Sequence, residues 1–197
     1  MNLGFDQYLR RDGLSHRLVP VANSRVNTDW MLSKTLNVFS SGNANVKGVY
    51  FDEENRRHLN TIRNAYAELA IDLSAKNRKE DARKVLDKVD AMMLQENFPY
   101  GMASRGNMHN KNSLLFLEAC LMADDKALAE KVAASVKKDL QQQVKFCNSL
   151  TGDKADQMAD EKRMAESYLK GLDQIETMYN TRIQIPGKMM AADSGKK

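Results

Sequence analysis

The side chains best suited to bind a ligand lie on two successive turns of one predicted helix. Asn60 follows Arg56 after four residues, and Arg63 and Asn64 follow Asn60 after three and four, which places all four on one helical face. Guanidinium and amide groups on such a face can donate hydrogen bonds to a carboxylate, a phosphate or a peptide backbone. Together with Tyr66, they form a candidate binding site for a polypeptide.

A structural role also explains the same arginines. The stretch Asp-Glu-Glu-Asn at 52–55 directly precedes them. Arginines that pair with these carboxylates would fasten the preceding segment to the helical body instead of holding a ligand. Both interpretations stay open at the level of the sequence.

The loop at 99–111, Pro-Tyr-Gly-Met-Ala-Ser-Arg-Gly-Asn-Met-His-Asn-Lys, is the second candidate contact surface. It combines glycines with methionines, whose flexible thioethers adapt to varied partners. Tyr100 is its candidate binding residue. The alternative is a long insertion with little order.

Metal and redox chemistry are not expected from this sequence. His16, His58 and His109 are scattered and have no ligand spacing to one another or to a cysteine. Cys120 and Cys147 lack the Cys-x-x-Cys spacing and fall on helical patterns, which predicts small buried side chains. We therefore expect neither a metal nor a cofactor.

Catalysis is not expected either. The acidic pairs Glu53/Glu54 and Asp124/Asp125 are adjacent in sequence, so on a helix their carboxylates diverge by about 100° and suit helix caps and turns. No phosphate loop, nucleophile elbow or dinucleotide fingerprint occurs. The sequence predicts a protein that is not an enzyme.

The basic charge is confined to the two ends of the chain. Residues 1–50 hold six basic and three acidic groups, residues 51–180 hold 20 and 22, and residues 181–197 hold four and one. A nucleic-acid-binding domain needs a basic face on its folded body, so that class is excluded. The basic ends have two interpretations. They are scattered charges in contact with solvent, or they lie near an anionic membrane surface.

The hydrophobic pattern predicts an all-α fold. Asp52 is a good N-cap for a long helix that ends at a polar turn, 76–78, and a second amphipathic helix follows. Such a short turn makes the two helices antiparallel. Asn77 occupies the turn position that favours a left-handed backbone. A third and a fourth helix follow the loop, and a fifth, from about 154 to 179, caps the stack.

The helix pair is similar to a tetratricopeptide repeat. Leu69 and Ala70 supply the large and small residues of the first helix, and Ala82 supplies the small residue of the second. The next equivalent alanine, Ala129, follows after 47 residues, whereas regular arrays repeat at about 34. We therefore predict degenerate helix-pair repeats with an insertion between them, about five long helices in all.

Three regions are expected. Residues 1–50 form a mostly irregular, linker-like segment packed on the body, with an extended patch at 18–21 and one short helix at 29–39. Residues 51–180 form the helical-repeat domain, and residues 181–197 form a flexible tail. No signal peptide and no membrane-spanning stretch is predicted.

Several stretches resemble the C-terminal region of one family of large multi-pass membrane proteins. They are YLRRDGLSHRLVPV (8–21), VNTDWM (26–31), GVYFDEENRRHLNTIRNAYAELAIDL (48–73), DARKVLDKV (81–89) and FPYG (98–101). This family is abundant in Bacteroidetes and related to protein O-mannosyltransferases of the GT-C class. The resemblance covers roughly residues 3–135.

The resemblance implies a soluble, tetratricopeptide-like region that follows a membrane domain and faces the extracytoplasmic side. The transferase chemistry of the family belongs to the membrane part, which this sequence lacks. The chain would correspond to part of a longer protein or to a relative without the enzyme. Two functions are expected: a module that binds an acceptor polypeptide or partner subunit, or a structural or dimerisation domain without a ligand.

Overall fold

The computed structural model describes residues 4–183, so the predicted flexible tail lies outside the described residues from position 184 onward. Helices dominate, and the expected all-α class is confirmed apart from a short hairpin near the N-terminus. The elements in chain order are β1 (Leu9–Asp12), β2 (Ser15–Leu18), α1 (Thr28–Asn37), α2 (Glu53–Ala75), α3 (Lys79–Met92), α4 (Met108–Met122), α5 (Lys126–Asn148), α6 (Asp153–Gln157) and α7 (Ala159–Ile183).

The hairpin replaces part of the irregular segment expected at the N-terminus. β1 and β2 pair antiparallel, with Asp12 opposite Ser15, so the turn has only two residues. Gly13 is the first of them and has a φ of +71°, which glycine adopts without strain. The turn residues are Gly13 and Leu14, and glycine at the first of two turn positions is typical of a type II′ hairpin. The short helix expected at 29–39 is confirmed as α1.

Two helix pairs, α2–α3 and α4–α5, are closed by equivalent turns. Each turn has three residues, and its middle residue has a left-handed backbone: Asn77 at φ +60° and Asp124 at φ +57°. In each turn, the amide of the next residue donates to the carbonyl five positions earlier. The Arg78 amide donates to Leu73 at 2.8 Å, and the Asp125 amide donates to Cys120 at 2.9 Å. This is a Schellman-type helix end. The predicted conformation of Asn77 is confirmed, and the two turns lie 47 positions apart, like the two alanines.

Small buried side chains allow the helices to pack closely. Leu69, Ala70 and Ala82 are fully buried and Ala129 nearly so, as the pattern predicts. α2 lies against both α3 and α4, α4 lies against α5, and α5 lies against α7. The core therefore runs continuously through both pairs into the last helix.

The predicted fifth helix is interrupted. α6 ends at Gln157, and Met158 has a ψ of 6°, outside the helical range of its neighbours. α7 then begins afresh at Ala159 with Asp160 and Glu161 in its first turn. Carboxylates at these positions stabilise a helix N-terminus, which is why the chain restarts there instead of continuing one long helix.

The N-terminal segment is fastened to α2 by buried and half-buried polar groups. The Arg11 guanidinium donates two hydrogen bonds to the Glu68 carboxylate, at 2.8 and 2.9 Å. One turn further along α2, the Thr28 hydroxyl donates to Asp72 at 2.5 Å. Planar, two-pronged pairs of the first kind fix orientation as well as distance.

The loop that connects α3 to α4 is fastened to α5. The Gly101 amide donates to the Ser135 hydroxyl at 2.9 Å. The buried Asn110 amide group donates to Asp139 at 2.7 Å and accepts from the Met102 amide at 3.3 Å. These contacts hold the loop across the junction of α4 and α5, so it is an anchored part of the structure.

Within residues 4–183, no helix combines the length and apolar character needed to cross a membrane.

Gly101→Ala tests the close approach of the loop to α5. A Cβ at this position would lie 2.1 Å from the Ser135 carbonyl oxygen, a backbone atom that cannot move aside. We expect the free energy of unfolding, measured by urea titration, to fall by about 3 kcal/mol or more. Gly171→Ala is the control, because its Cβ would meet nothing within 4 Å and alanine favours helix by up to about 1 kcal/mol. Equal stability of the two variants would contradict the packing described here.

Candidate functional site

The structure divides the predicted ligand-binding face of α2 into a buried and an accessible part. Arg63 and Tyr66 are at most 1% exposed, whereas Arg56, Asn60 and Asn64 are half-buried. Tyr100, the candidate from the loop, is also buried. Direct contact with a ligand is therefore open to the half-buried residues, while the buried ones hold the fold.

Arg63 is a buried cation held by two carbonyls and two aromatic rings. Its guanidinium donates to the Phe98 carbonyl at 2.9 Å and to the Pro99 carbonyl at 3.3 Å. The guanidinium carbon lies 4.2 Å from the Phe98 ring centre and 4.4 Å from that of Tyr100, so both ring faces stabilise the charge. Burial lowers the pKa of Arg63 to about 10, and the group stays charged at neutral pH.

The hydroxyl groups of Tyr66 and Tyr100 both have hydrogen-bond partners inside the fold. The Tyr66 hydroxyl donates to the Thr35 carbonyl at 2.9 Å, which ties α1 to α2, and burial raises the pKa of Tyr66 to about 12. The Tyr100 hydroxyl donates to Asp90 at 2.8 Å, and its ring stacks on Phe116. Burial raises the pKa of Tyr100 as well. Tyr66 thereby holds α1 on α2, and Tyr100 holds the loop on α3.

His109 connects the accessible part of the face to the loop. Its Nε2 lies 2.7 Å from the Pro99 carbonyl, which can only accept, so Nε2 carries the proton. Nδ1 then accepts from the Asn60 amide group at 3.1 Å. This arrangement leaves the buried Asn60 Oδ1 atom without a hydrogen-bond partner. Burial, followed by repulsion from Arg63, lowers the pKa of His109 to about 4.

An open cleft lies between the first turns of α2 and the loop before α4. Its volume is about 720 Å³. One wall comes from α2 and the other from the loop and the start of α4, so two stretches that the sequence singled out separately form one site. The lining residues are Glu53, Glu54, Arg56, Arg57, Asn60, Met102, Ala103, Ser104, Arg105, Met108 and His109.

The charges in this cleft are only partly compensated. Arg57 pairs with Glu54, which also contacts His58 at 3.2 Å. Among the residues that the structure describes, Arg56 and Arg105 pair with no carboxylate. Arg56 instead lies against the exposed Tyr50 ring, at 5.7 Å from its centre. The sequence interpretation in which acidic neighbours hold the arginines therefore applies to Arg57 alone.

Sequence reasoning missed Arg105 and the two methionines as members of the site. All three belong to the stretch 99–111, but their side chains become relevant only because the loop folds back over α2. The position of the fifteen-residue connection between α3 and α4, residues 93–107, cannot be predicted from spacing rules. The one available signal is the apolar run from Phe98 to Tyr100, together with Arg63, which lies among the apolar positions of α2. This signal indicates that this part of the loop is buried.

The remaining candidates of the sequence analysis do not converge on a site. Cys120 and Cys147 are buried free thiols, as predicted, and burial raises the pKa of Cys120. His16 and His58 are exposed. No group of three or more His, Cys, Asp or Glu side chains that could hold a metal ion occurs in the described part of the chain.

The buried neutral His109 should make stability depend on pH. Between pH 6.5 and 4 the unfolded chain binds a proton at this residue and the folded chain does not, so the free energy of unfolding falls as the pH falls. From the pKa of about 4, we expect a loss on the order of 2 kcal/mol between pH 7 and pH 4.5. His109→Gln keeps a donor towards Pro99 and should remove most of this loss. Urea titrations at both pH values measure the free energy of unfolding. An equal loss in the variant would contradict the assignment of this pH dependence to His109.

Arg63→Lys tests whether the buried cation depends on guanidinium geometry. A lysine ammonium cannot lie flat between two rings and donate to two carbonyls, and it is more strongly hydrated. We expect the free energy of unfolding to fall by about 2–4 kcal/mol. Arg83→Lys is the matched control, because Arg83 is partly exposed and pairs with Glu80 on the surface. If the free energy of unfolding changes by less than about 0.5 kcal/mol in both variants, a positive charge without guanidinium geometry is sufficient for stability at position 63.

The cleft therefore offers guanidinium and amide donors beside two thioether side chains. This set suits recognition of an anionic, partly apolar ligand. Comparisons of the chain with protein-family models, with curated proteins and with solved structures found no match.

Proposed function

We propose that this chain is a non-catalytic helical module that binds a segment of a partner polypeptide in the cleft between α2 and the loop before α4. The observation that carries the proposal is the pair of uncompensated arginines, Arg56 and Arg105, on opposite walls of a cleft of about 720 Å³. Because they come from two different elements, a carboxylate between them would bridge the walls.

The rest of the lining favours a peptide over a small ion. Met108 is half exposed and Met102 is partly exposed, and such side chains adapt to apolar groups of a peptide. Glu53, which has no cationic partner within residues 4–183, supplies an acceptor at the same rim. A segment that alternates acidic and apolar side chains matches this set of groups.

The repeat architecture supports a binding role. The two helix pairs carry the same Schellman-type turn 47 positions apart, at Asn77 and Asp124. We propose that they are degenerate tetratricopeptide-like repeats, with the loop before α4 as the insertion between them. Repeats of this kind stack helix pairs to create extended binding surfaces.

The cellular setting that we propose comes from the sequence resemblance alone. In that setting, the module is the soluble, extracytoplasmic part of a membrane glycosyltransferase-like protein of the Bacteroidetes family. The partner would then be an acceptor polypeptide or a subunit of the same assembly. The module itself would contribute recognition, and the membrane part would contribute the chemistry.

A purely structural or dimerisation role is the alternative, and one observation favours it. Two of the five site residues predicted on α2, Arg63 and Tyr66, lie inside the fold under residues 98–100 and Thr35. In this alternative the polar face only holds the loop and α1 in place. Selective peptide binding in the cleft would distinguish the two functions.

Peptide selection tests the proposed function. The whole chain, immobilised, is panned with a random library of linear peptides, and the selected peptides are titrated by fluorescence anisotropy. We expect enrichment of Asp and Glu, and at least a tenfold weaker affinity for Arg105→Glu, because a carboxylate would then face a carboxylate.

Arg83→Glu provides the matched control, since it introduces the same charge change on α3, outside the cleft. Its affinity should stay within about twofold of the parent chain. Failure to enrich any peptide, or an equal loss in both variants, would overturn the proposal in favour of the structural role. Dimers in light scattering would then support dimerisation.

A further inference from the structure

The exposed hydrophobic side chains are concentrated in the first fifty residues. Of the twelve large hydrophobic residues that are exposed in the described part of the chain, nine lie between positions 5 and 50. Only three lie in the helical body that follows. The nine are Phe5, Leu9, Leu14, Leu18, Val21, Trp30, Val38, Val46 and Tyr50. Exposed apolar groups gathered in one region indicate a surface that is covered by a partner.

Part of this surface lies on and beside α1 and the hairpin turn. Trp30 and Lys34 lie one turn apart on α1, and Val38 directly follows the last residue of that helix, with Trp30 43% and Val38 62% exposed. A Cβ on Gly13 would lie 3.4 Å from the Trp30 ring, so the hairpin turn packs beside it. Leu14, the next residue of the turn, is 46% exposed. We call Leu14, Trp30, Lys34 and Val38 the N-terminal face.

Uncompensated positive charge accompanies these apolar side chains. The Lys34 ammonium lies 6.0 Å from the centre of the Trp30 ring. Neither Lys34 nor Arg25 pairs with a carboxylate within residues 4–183, and Arg17 shares Asp12 with Arg10. Residues 1–50 carry a net charge of +3, six basic minus three acidic groups, while residues 51–180 carry −2, 20 minus 22. Within residues 1–180, the net positive charge therefore lies in the same segment that is apolar.

We infer that the N-terminal face rests on the surface of an anionic lipid bilayer. A tryptophan prefers the boundary between head groups and acyl chains, where its ring is apolar and its N–H stays hydrated. Leucine and valine side chains on either side insert shallowly, and each lysine or arginine near the surface adds attraction to anionic lipids. The slightly acidic body is repelled, which orients the chain with this face towards the lipid.

The shape of the surface favours lipid over a folded protein partner. The apolar side chains project from a two-residue turn, from β2, whose four residues are all exposed, and from one face of a ten-residue helix. A fluid bilayer accommodates separate exposed side chains, whereas a protein interface requires a complementary rigid surface. None of the four residues of the N-terminal face lines the peptide cleft.

Trp30 is the only tryptophan in the chain, so it reports directly on this face. The whole chain is mixed with extruded vesicles of phosphatidylcholine, with or without phosphatidylglycerol. With the anionic vesicles at low ionic strength, we expect a blue shift of the Trp30 emission, quenching by brominated acyl chains, and co-sedimentation. Neutral vesicles should give at least tenfold weaker binding, and added salt should release the chain because it screens the surface potential.

Variants at half-buried Lys34 and at exposed apolar positions separate this contact from non-specific adsorption. Lys34→Gln should weaken co-sedimentation about fivefold through the loss of one charge. The pair Leu14→Ser and Val38→Ser should weaken it roughly tenfold through the loss of inserted apolar groups. Phe146→Ser is the matched control, because Phe146 is 57% exposed on α5, and it should bind as the parent chain does. An unchanged Trp30 spectrum with anionic vesicles, or equal losses at Phe146 and the N-terminal face, would overturn the inference.

Discussion

A single buried cation determines how the two halves of the helical body fit together. Among residues 4–183, no carboxylate pairs with the Arg63 guanidinium, and the Phe98 and Pro99 carbonyls and two aromatic rings compensate its desolvation. A charge taken out of water is costly unless every donor is satisfied. The loop therefore has to return to α2 at this point. The accessible cleft exists because the chain beyond Pro99 is then held beside the first turns of α2, where His109 bonds both Asn60 and Pro99.

The sequence predicts the regular part of this structure and not the part that creates the cleft. The Asp52 cap, the apolar periods and the left-handed Asn77 turn depend on residues within a few positions of one another, and such local rules can be applied without coordinates. Spacing placed Arg63 correctly on a face with Arg56. It could not show that one of these arginines is covered and the other open, because that depends on a loop thirty-five positions away.

The two proposed surfaces reach α2 at different levels. Arg56 lines the cleft near the start of the helix, whereas α1, which carries part of the N-terminal face, contacts α2 at Tyr66 and Asp72. These contacts lie ten and sixteen residues beyond Arg56, which is about 15 and 24 Å of helix at 1.5 Å per residue. In the two proposals, α2 is the rigid element that joins a face that suits lipid to a cleft that suits a peptide.

The contacts that fasten the N-terminal segment to α2 also affect the order in which the protein folds. The Arg11–Glu68 and Thr28–Asp72 contacts join residues 57 and 44 positions apart, whereas the two helix pairs close through three-residue turns. Local pairs form early, and contacts between distant positions bear a larger loop-closure entropy and form late. The hairpin and α1 are thus expected to dock last on a preassembled helical scaffold. In native-state hydrogen exchange, their amides would open in smaller, more frequent fluctuations than those of α2 and α4.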